Sequence, residues 1–380
     1  MQIKSKFSST GTGIFSATDD LLTQYDAINL AHGTPDFPFS QELIENADEA
    51  MQAEGSLQAP WAGLPALREK IADKISFLYT HNYHPDTEVT VMPSAKEAMF
   101  ASIAAMVHAG DEVIYFEPSF DSYAAMISLQ GAIPVAIRLE APHFTPDWNQ
   151  VKAKINAKTR MIIINSPHNP TGSVLSEDDV QALQALVKDS NIIILSDEVY
   201  EHLVFDEDVH RSMSSYPDLA ARSIVVTSFS KVFQVSGWHV AYCVAPAFLT
   251  QEIRKVQQYV MFPADTPMQY ALSAIMEQPN HYLTLSTIYQ EKRDLLVQAL
   301  KSSRFELLPS KGGYFMLAGF GHFSDLSDVD MVRKLIVDHG VATLPLSAFY
   351  SDGTDQAVIR LTFSKDDETL LEGARRLCEV

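Results

Sequence analysis

A primary amine, a carboxylate, a phenol, a carboxamide, a hydroxyl and an aromatic ring recur in this sequence just downstream of short apolar runs. Lys231 closes Thr-Ser-Phe-Ser-Lys after Ser223-Ile-Val-Val226. Asp197 and Tyr200 lie in Ser-Asp-Glu-Val-Tyr after Asn191-Ile-Ile-Ile-Leu195. Asn169 sits in a Pro-rich loop after Met161-Ile-Ile-Ile164, Phe120 follows Glu112-Val-Ile-Tyr-Phe116, and Pro-Ser-Ala-Lys96 follows Val89-Thr-Val-Met92. In an open α/β sheet, ligands sit beyond the carboxyl ends of the strands. Read as strands, these runs carry Phe120, Asn169, Asp197, Tyr200, Ser228 and Lys231 to one sheet edge. A lysine desolvated there is poised for Schiff-base chemistry. The whole set suits a charged heteroaromatic phosphate ester held covalently through Lys231.

The elements that must position these groups follow from periodicity. Strands over 89–92, 112–116, 161–165, 191–195 and 223–226 alternate with helical patterns over 94–107, 121–129 and from Ser176 onward. In the first helix Ala95, Met99, Ile103 and Met106 share a face, and Ser176 with its following acids is a helix start. Continuous apolar strands alternating with amphipathic helices predict a mostly parallel sheet covered on both faces. The later chain reads as α+β: a helical stretch over 282–302, strand-like runs at 305–308, 313–317 and 358–363, and a helix near 329–339. The first 45 residues, with Gly33, Pro35 and Pro38, lack the alternation. The boundaries expected are a large cofactor-binding domain over 46–280 and a small domain made of 1–45 and 281–380.

His-Asn-Pro-Thr-Gly172, Asp-Glu-Val-Tyr200, Ser-Phe-Ser-Lys231 with Gly-Trp238, and Ile-Arg360 stand in the order seen in class I/II aminotransferases. The sequence resembles that family of fold-type-I pyridoxal-phosphate enzymes nearly end to end, from Ile28-Asn-Leu30 with Gly33 and Pro35-Asp-Phe37 to Arg360. Glu-Pro-Ser-Phe-Asp-Ser-Tyr123, Ser-Pro-His-Asn-Pro170 and Asp-Glu-Val-Tyr-Glu-His202 make it most similar to the methionine and kynurenine aminotransferase group. The resemblance implies an α/β fold with a large, mostly parallel, seven-stranded-type sheet and a smaller α+β domain. It implies pyridoxal 5'-phosphate as cofactor and Lys231, Asp197 and Tyr200 as catalytic residues. Cofactor contacts would come from Ser94, Ala95, Lys96, Phe120, Asn169, Asp197, Tyr200, Ser228, Lys231 and His239. Substrate contacts would come from Gly33, Asn169 and Arg360.

Each residue also has a plainer reading. Lys231 could be a solvated loop charge, Asp197 a helix cap, Asn169 a turn residue, Tyr200 and Phe120 core aromatics, and Arg360 half of a structural ion pair. The functional alternatives are specific. Asp197 keeps the pyridine nitrogen protonated, so the ring acts as an electron sink. The resemblance places Tyr200 and Asn169 on the cofactor's ring oxygen and Phe120 against the ring. Arg360 offers a planar fork to the substrate α-carboxylate. His168 and His202 read as structural and Cys243 as core. His32 precedes Gly33, whose backbone matches a substrate-carboxylate contact in the family, and a substrate contact by His32 is the less favoured of its two readings. Phe15, Phe100 and Tyr123 are candidate pocket walls.

The phosphate end departs from the family. Ser94 stands where Gly is common, Lys96 where a small or neutral residue is common, His239 where Arg or Lys is common, and Gln58 where a neighbouring subunit's Tyr is typical. Either Lys96 replaces the missing cation, aided by helix-terminal N–H groups, or it points into solvent and the cofactor is held weakly.

Composition bounds the partners. Of 380 residues, 48 are acidic and 28 basic, a net charge of −20. That charge argues against nucleic-acid binding and anionic membranes. Two distant cysteines match no zinc or disulfide pattern. No apolar run approaches the ~20 residues of a membrane span, and no secretory leader is read at the N-terminus. The expectation is a cytoplasmic homodimer acting on small amino acids and 2-oxo acids. The expected reaction is amino transfer from a methionine, aromatic or other large neutral donor through a Lys231 Schiff base. A cysteine-conjugate β-lyase and a non-catalytic member of the scaffold remain open alternatives.

Overall fold

Seven strands form one sheet: β1 (Val89–Met92), β2 (Glu112–Glu117), β3 (Ile133–Arg138), β4 (Thr159–Asn165), β5 (Ile193–Asp197), β6 (Ser223–Ser228) and β7 (Ala241–Val244). The computed structural model describes residues 14–36, 40–54 and 57–380. The strand order is β1-β7-β6-β5-β4-β2-β3. Strands β2 to β6 pair in parallel, whereas β7 runs antiparallel to β6 and to β1. Two reversals restore the direction, so β1 points the same way as β6. The segment after β1 therefore reaches the edge at which β5 and β6 end.

Both faces of the central strands are apolar because both are covered. Met161 and Ile163 join Leu195, Val226, Cys243 and Met99 in one buried cluster, while Ile162 and Ile164 join Ile194, Val225 and Val244 in the other. This two-residue alternation with no polar face is what a doubly covered parallel sheet requires. Cys243 is core, as read, and burial pushes its thiol up to about 12.

Three differences from the sequence expectation have physical causes. Strand β3 escapes periodicity because it is a half-exposed edge strand containing Pro134. Strands β5 and β6 run on to Asp197 and Ser228, past their apolar stretches, because ladder pairing continues from Asn165 to Asp197 and from Ser228 to Ala241. A final helix, Asp367–Leu377, lies beyond the elements that periodicity predicts. Its signals were present: Asp366 caps Thr369 N–H at 2.7 Å, acids fill the first turn, and Arg375 and Arg376 the last.

The smaller sheet holds β8 (Glu306–Leu307), β9 (Phe315–Gly319), β10 (Leu344–Pro345) and β11 (Val358–Thr362) in the order β10-β11-β9-β8, all antiparallel. Ile28–Asn29 pairs with Val341–Ala342, which ties the early chain to the late one. The helical stretch read over 282–302 is two helices, Asn280–Leu283 and Leu285–Ala299. Among the described residues no helix is long and apolar enough to cross a membrane.

A buried ion pair fastens helix Pro65–Tyr79 to the sheet. Lys74 Nζ donates to Glu201 Oε1 at 2.5 Å, and Glu201 also accepts from Thr227 Oγ1 and Tyr79 Oη. Burial works to raise the Glu201 carboxyl, but the Lys74 charge and these hydrogen bonds turn the shift downward. Lys74→Met would leave that carboxylate buried without its counter-ion. The expected loss is about 3–5 kcal/mol of stability, read from urea unfolding. A loss under about 1 kcal/mol, the scale of an exposed pair, would contradict a buried, coupled role.

Candidate active site

A cavity of about 380 Å³ opens at the edge where β1, β5 and β6 end. Gly33, Ser94, Ala95, Lys96, Phe120, Asn169, Asp197, Tyr200, Ser228, Lys231, His239 and Arg360 all line it. Every site residue expected from the sequence is thus brought to one place. The lining also holds His32, Thr34, Met99, Asn165, Val199, Ser230, Ser236, Tyr314 and Phe315.

One end is built around Arg360 on β11. The residue is 2% exposed. Its guanidinium donates from Nη1 to Asn169 Oδ1 at 2.8 Å and from Nη2 to the Ala31 carbonyl at 2.9 Å. It also lies over Phe315 at 4.1 Å and Phe349 at 4.8 Å. Burial lowers its pKa to about 10, which still leaves it charged at neutral pH. Asn169 gives its oxygen to Arg360, so its Nδ2 remains as a donor. Asn169 N–H is itself fixed by Asn165 Oδ1 at 2.9 Å. Gly33 approaches this end so closely that a Cβ would collide with Tyr314 and Phe315. His32 pairs with Asp19 at 3.3 Å.

Asp197 ends β5 and is buried. Burial pushes its carboxyl up to about 6, opposed by a hydrogen bond from Tyr123 Oη to Oδ2 at 2.5 Å and another from Val199 N–H to Oδ1. Lys231 sits in the short helix Phe229–Val232 directly after β6, its Nζ 5.8 Å from the centre of the Tyr314 ring. Tyr200 packs edge-on against Tyr314 with ring centroids 5.1 Å apart. Burial holds the Tyr200 phenol well above its ordinary pKa.

The other end is the start of helix Ala95–Met106. Ser94 Oγ is already engaged: it accepts from Glu97 N–H and donates to the Glu97 carboxylate at 2.9 Å. What this turn offers a ligand is the N–H groups of Ala95 and Lys96, which have no acceptor within the helix. His239 is exposed and adopts a left-handed backbone, φ +52°.

Two pocket-wall expectations need correcting. Tyr123 is buried behind Asp197 and does not line the cavity, because its phenol turns inward to that carboxylate. Phe100 packs against the core cluster under the sheet instead. The Phe15 side chain lies outside the described residues. His168 and His202 are structural, as read. Burial pushes both imidazoles down to about 3; buried His168 bonds Thr171 Oγ1, and the His202 ring packs at a tilt against Tyr282.

The family model described as Aminotransferase class I and II matches residues 25–377. The chain belongs to that family. It is 43% identical over 378 residues to a methionine aminotransferase of Escherichia coli (strain K12), with 99% of this chain and 98% of that relative covered. It is 31% identical to the kynurenine–oxoglutarate transaminase of Dictyostelium discoideum, with 98% and 95% covered. Among solved structures it matches YbdL from Escherichia coli, for which a methionine aminotransferase function is identified. The TM-score is 0.96 and the identity 42%, over 100% of both chains. This chain is therefore an aminotransferase of class I/II fold, and the non-catalytic alternative falls.

Class I and II aminotransferases use pyridoxal phosphate, and this cavity has the donor set for it. A primary amine stands beside a buried carboxylate, with a phenol, a carboxamide donor and an aromatic face around them. Near His239, Ser236 Oγ is buried and has no hydrogen-bond partner among the described residues. A buried hydroxyl without a partner is costly, and a phosphate oxygen would satisfy it.

Proposed function

We propose that this aminotransferase holds pyridoxal phosphate through Lys231 and takes a large neutral L-amino acid, methionine foremost, as donor to a 2-oxo acid. The observation that carries the donor class is the charge of the lining. Among the described residues Arg360 is the one arginine in it, and Tyr314, Phe315, Thr34 and His32 line the same cavity. One guanidinium serves the α-carboxylate, and among the described residues no second one lines the cavity to meet an acidic side chain. The relative named a methionine aminotransferase supports the same class.

Bound pyridoxal phosphate supplies an aldehyde for the donor amine and a ring that withdraws the electron pair left at Cα. The chain's own residues do the rest. Arg360 grips the α-carboxylate and fixes which bond at Cα faces Lys231. The Lys231 amine would take the Cα proton as general base. Asp197, ionised, would hold the ring nitrogen in its protonated form. Asn169 Nδ2 and Tyr200 Oη would hold the ring oxygen, and Phe120 would cover one face. Half-reactions with single amino acids test the donor class. Methionine and aromatic donors are expected to bleach the cofactor's visible band at least about tenfold faster than aspartate, since an unpaired acidic side chain costs more than about 1.4 kcal/mol. Equal rates would overturn it.

A homodimer belongs to the same proposal. Gln58 is exposed beside an aromatic patch in which Trp61 stacks on Phe262, with Tyr259 86% and Phe262 76% exposed. A patch of that kind marks an association surface, and a second copy of the chain is the occupant proposed. Sedimentation should give twice 42.2 kDa. A monomer at micromolar concentration would refute the dimer.

A further inference from the structure

The cavity is charged unequally at its two ends. At one end Arg360 is locked by Asn169, Ala31, Phe315 and Phe349. In the middle Lys231 supplies the reactive amine. A phosphate monoester at the remaining end carries nearly two negative charges, and the residues there are mostly neutral. Ser228, Ser230 and Ser236 offer hydroxyls, and His239 is an exposed imidazole on a left-handed backbone. The permanent cation at that end is Lys96.

We infer that Lys96 supplies the fixed positive charge that holds the cofactor's phosphate group, in concert with the first-turn N–H groups of Ala95 and Lys96 and the hydroxyls of Ser228 and Ser236. The inference rests on the proposal that this cavity takes pyridoxal phosphate. Three observations carry it. Lys96 Nζ is turned back over the cavity, 5.0 Å from the centre of the Phe120 ring, although the residue as a whole is exposed. Its nearest acid along the chain, Glu97, is engaged by Ser94 Oγ, and no ion pair to Lys96 occurs among the described residues. Ser236 Oγ, in the same lining, is buried with no hydrogen-bond partner among the described residues. An ammonium without a carboxylate among the described residues, an unsatisfied hydroxyl and two N–H groups at the positive end of a helix dipole line one cavity and suit one anion.

The phosphate is tested apart from the rest of the cofactor. Protein freed of cofactor is titrated with pyridoxal phosphate and with pyridoxal, which lacks the phosphate, following the visible band. Wild type should favour the phosphate ester strongly. Lys96→Met should weaken pyridoxal phosphate about tenfold or more and leave pyridoxal within about twofold, the range for one lost charge-assisted contact. Adding His239→Lys to Lys96→Met should restore most of the loss by returning a cation to that end. If Lys96→Met keeps wild-type affinity for both ligands, or weakens both equally, Lys96 is not the phosphate's counter-ion. If wild type binds neither ligand, the cofactor proposal itself fails.

Discussion

Lys231→Ala is expected to lower transamination roughly ten-thousand-fold, the upper range for a positioned general base, while the fold and the cavity persist. The side chain is half-buried and caps no helix; its backbone sits in a four-residue turn that alanine accommodates. The variant should still take up pyridoxal phosphate, since Asp197, Asn169, Tyr200 and Phe120 are untouched, but without the visible signature of a lysine-bound cofactor. An added primary amine of small size should restore part of the rate, because the missing group is an amine with a free path into the cavity. A variant that retains more than about a tenth of the wild-type rate would place the base elsewhere, and Lys96 is the other lysine in the lining.

Asp197→Asn is the second large effect, roughly a hundred- to thousandfold in turnover, the scale for removing one preorganised charge from a site. Its pH signature is the sharper part. Burial raises the Asp197 carboxyl to about 6. Below that pH the group is neutral and cannot hold a protonated ring nitrogen, so cofactor affinity should fall as pH drops through about 6. Tyr123 opposes the rise through its hydrogen bond to Oδ2. Tyr123→Phe should therefore move the midpoint upward with Lys231 chemistry intact, and Asp197→Asn should erase the step. A pH profile unchanged by Tyr123→Phe would show that the phenol neither lowers the carboxyl pKa nor positions it.

Much of this site was legible in the sequence because the sheet is simple. Lys231, Asp197, Asn169 and Phe120 each follow an unbroken apolar run, and in a parallel sheet all such runs end at one edge. Asn165 obeys the same rule as the last residue of β4, which carries it to the same edge. Tyr314 and Phe315 could not be reached that way. They precede and begin β9 in the smaller sheet, and their place in the cavity depends on how that sheet packs against the large one, which no local periodicity encodes. Tyr123 shows a finer limit. Its helix, Ser122–Leu129, approaches the cavity, but whether the phenol faces the open space or Asp197 is decided by a hydrogen bond across the sheet. The phosphate end was visible only as an imbalance of charge between positions 96 and 239, and the fold gives that imbalance a location.

The central claim is that Lys231 is the residue that carries the cofactor. Borohydride reduction of the cofactor-loaded protein, followed by peptide mapping, tests it directly. The expected result is stoichiometric label on the peptide containing Lys231 and none on that containing Lys96. Label on any other lysine, or no label in protein that holds pyridoxal phosphate, would contradict it.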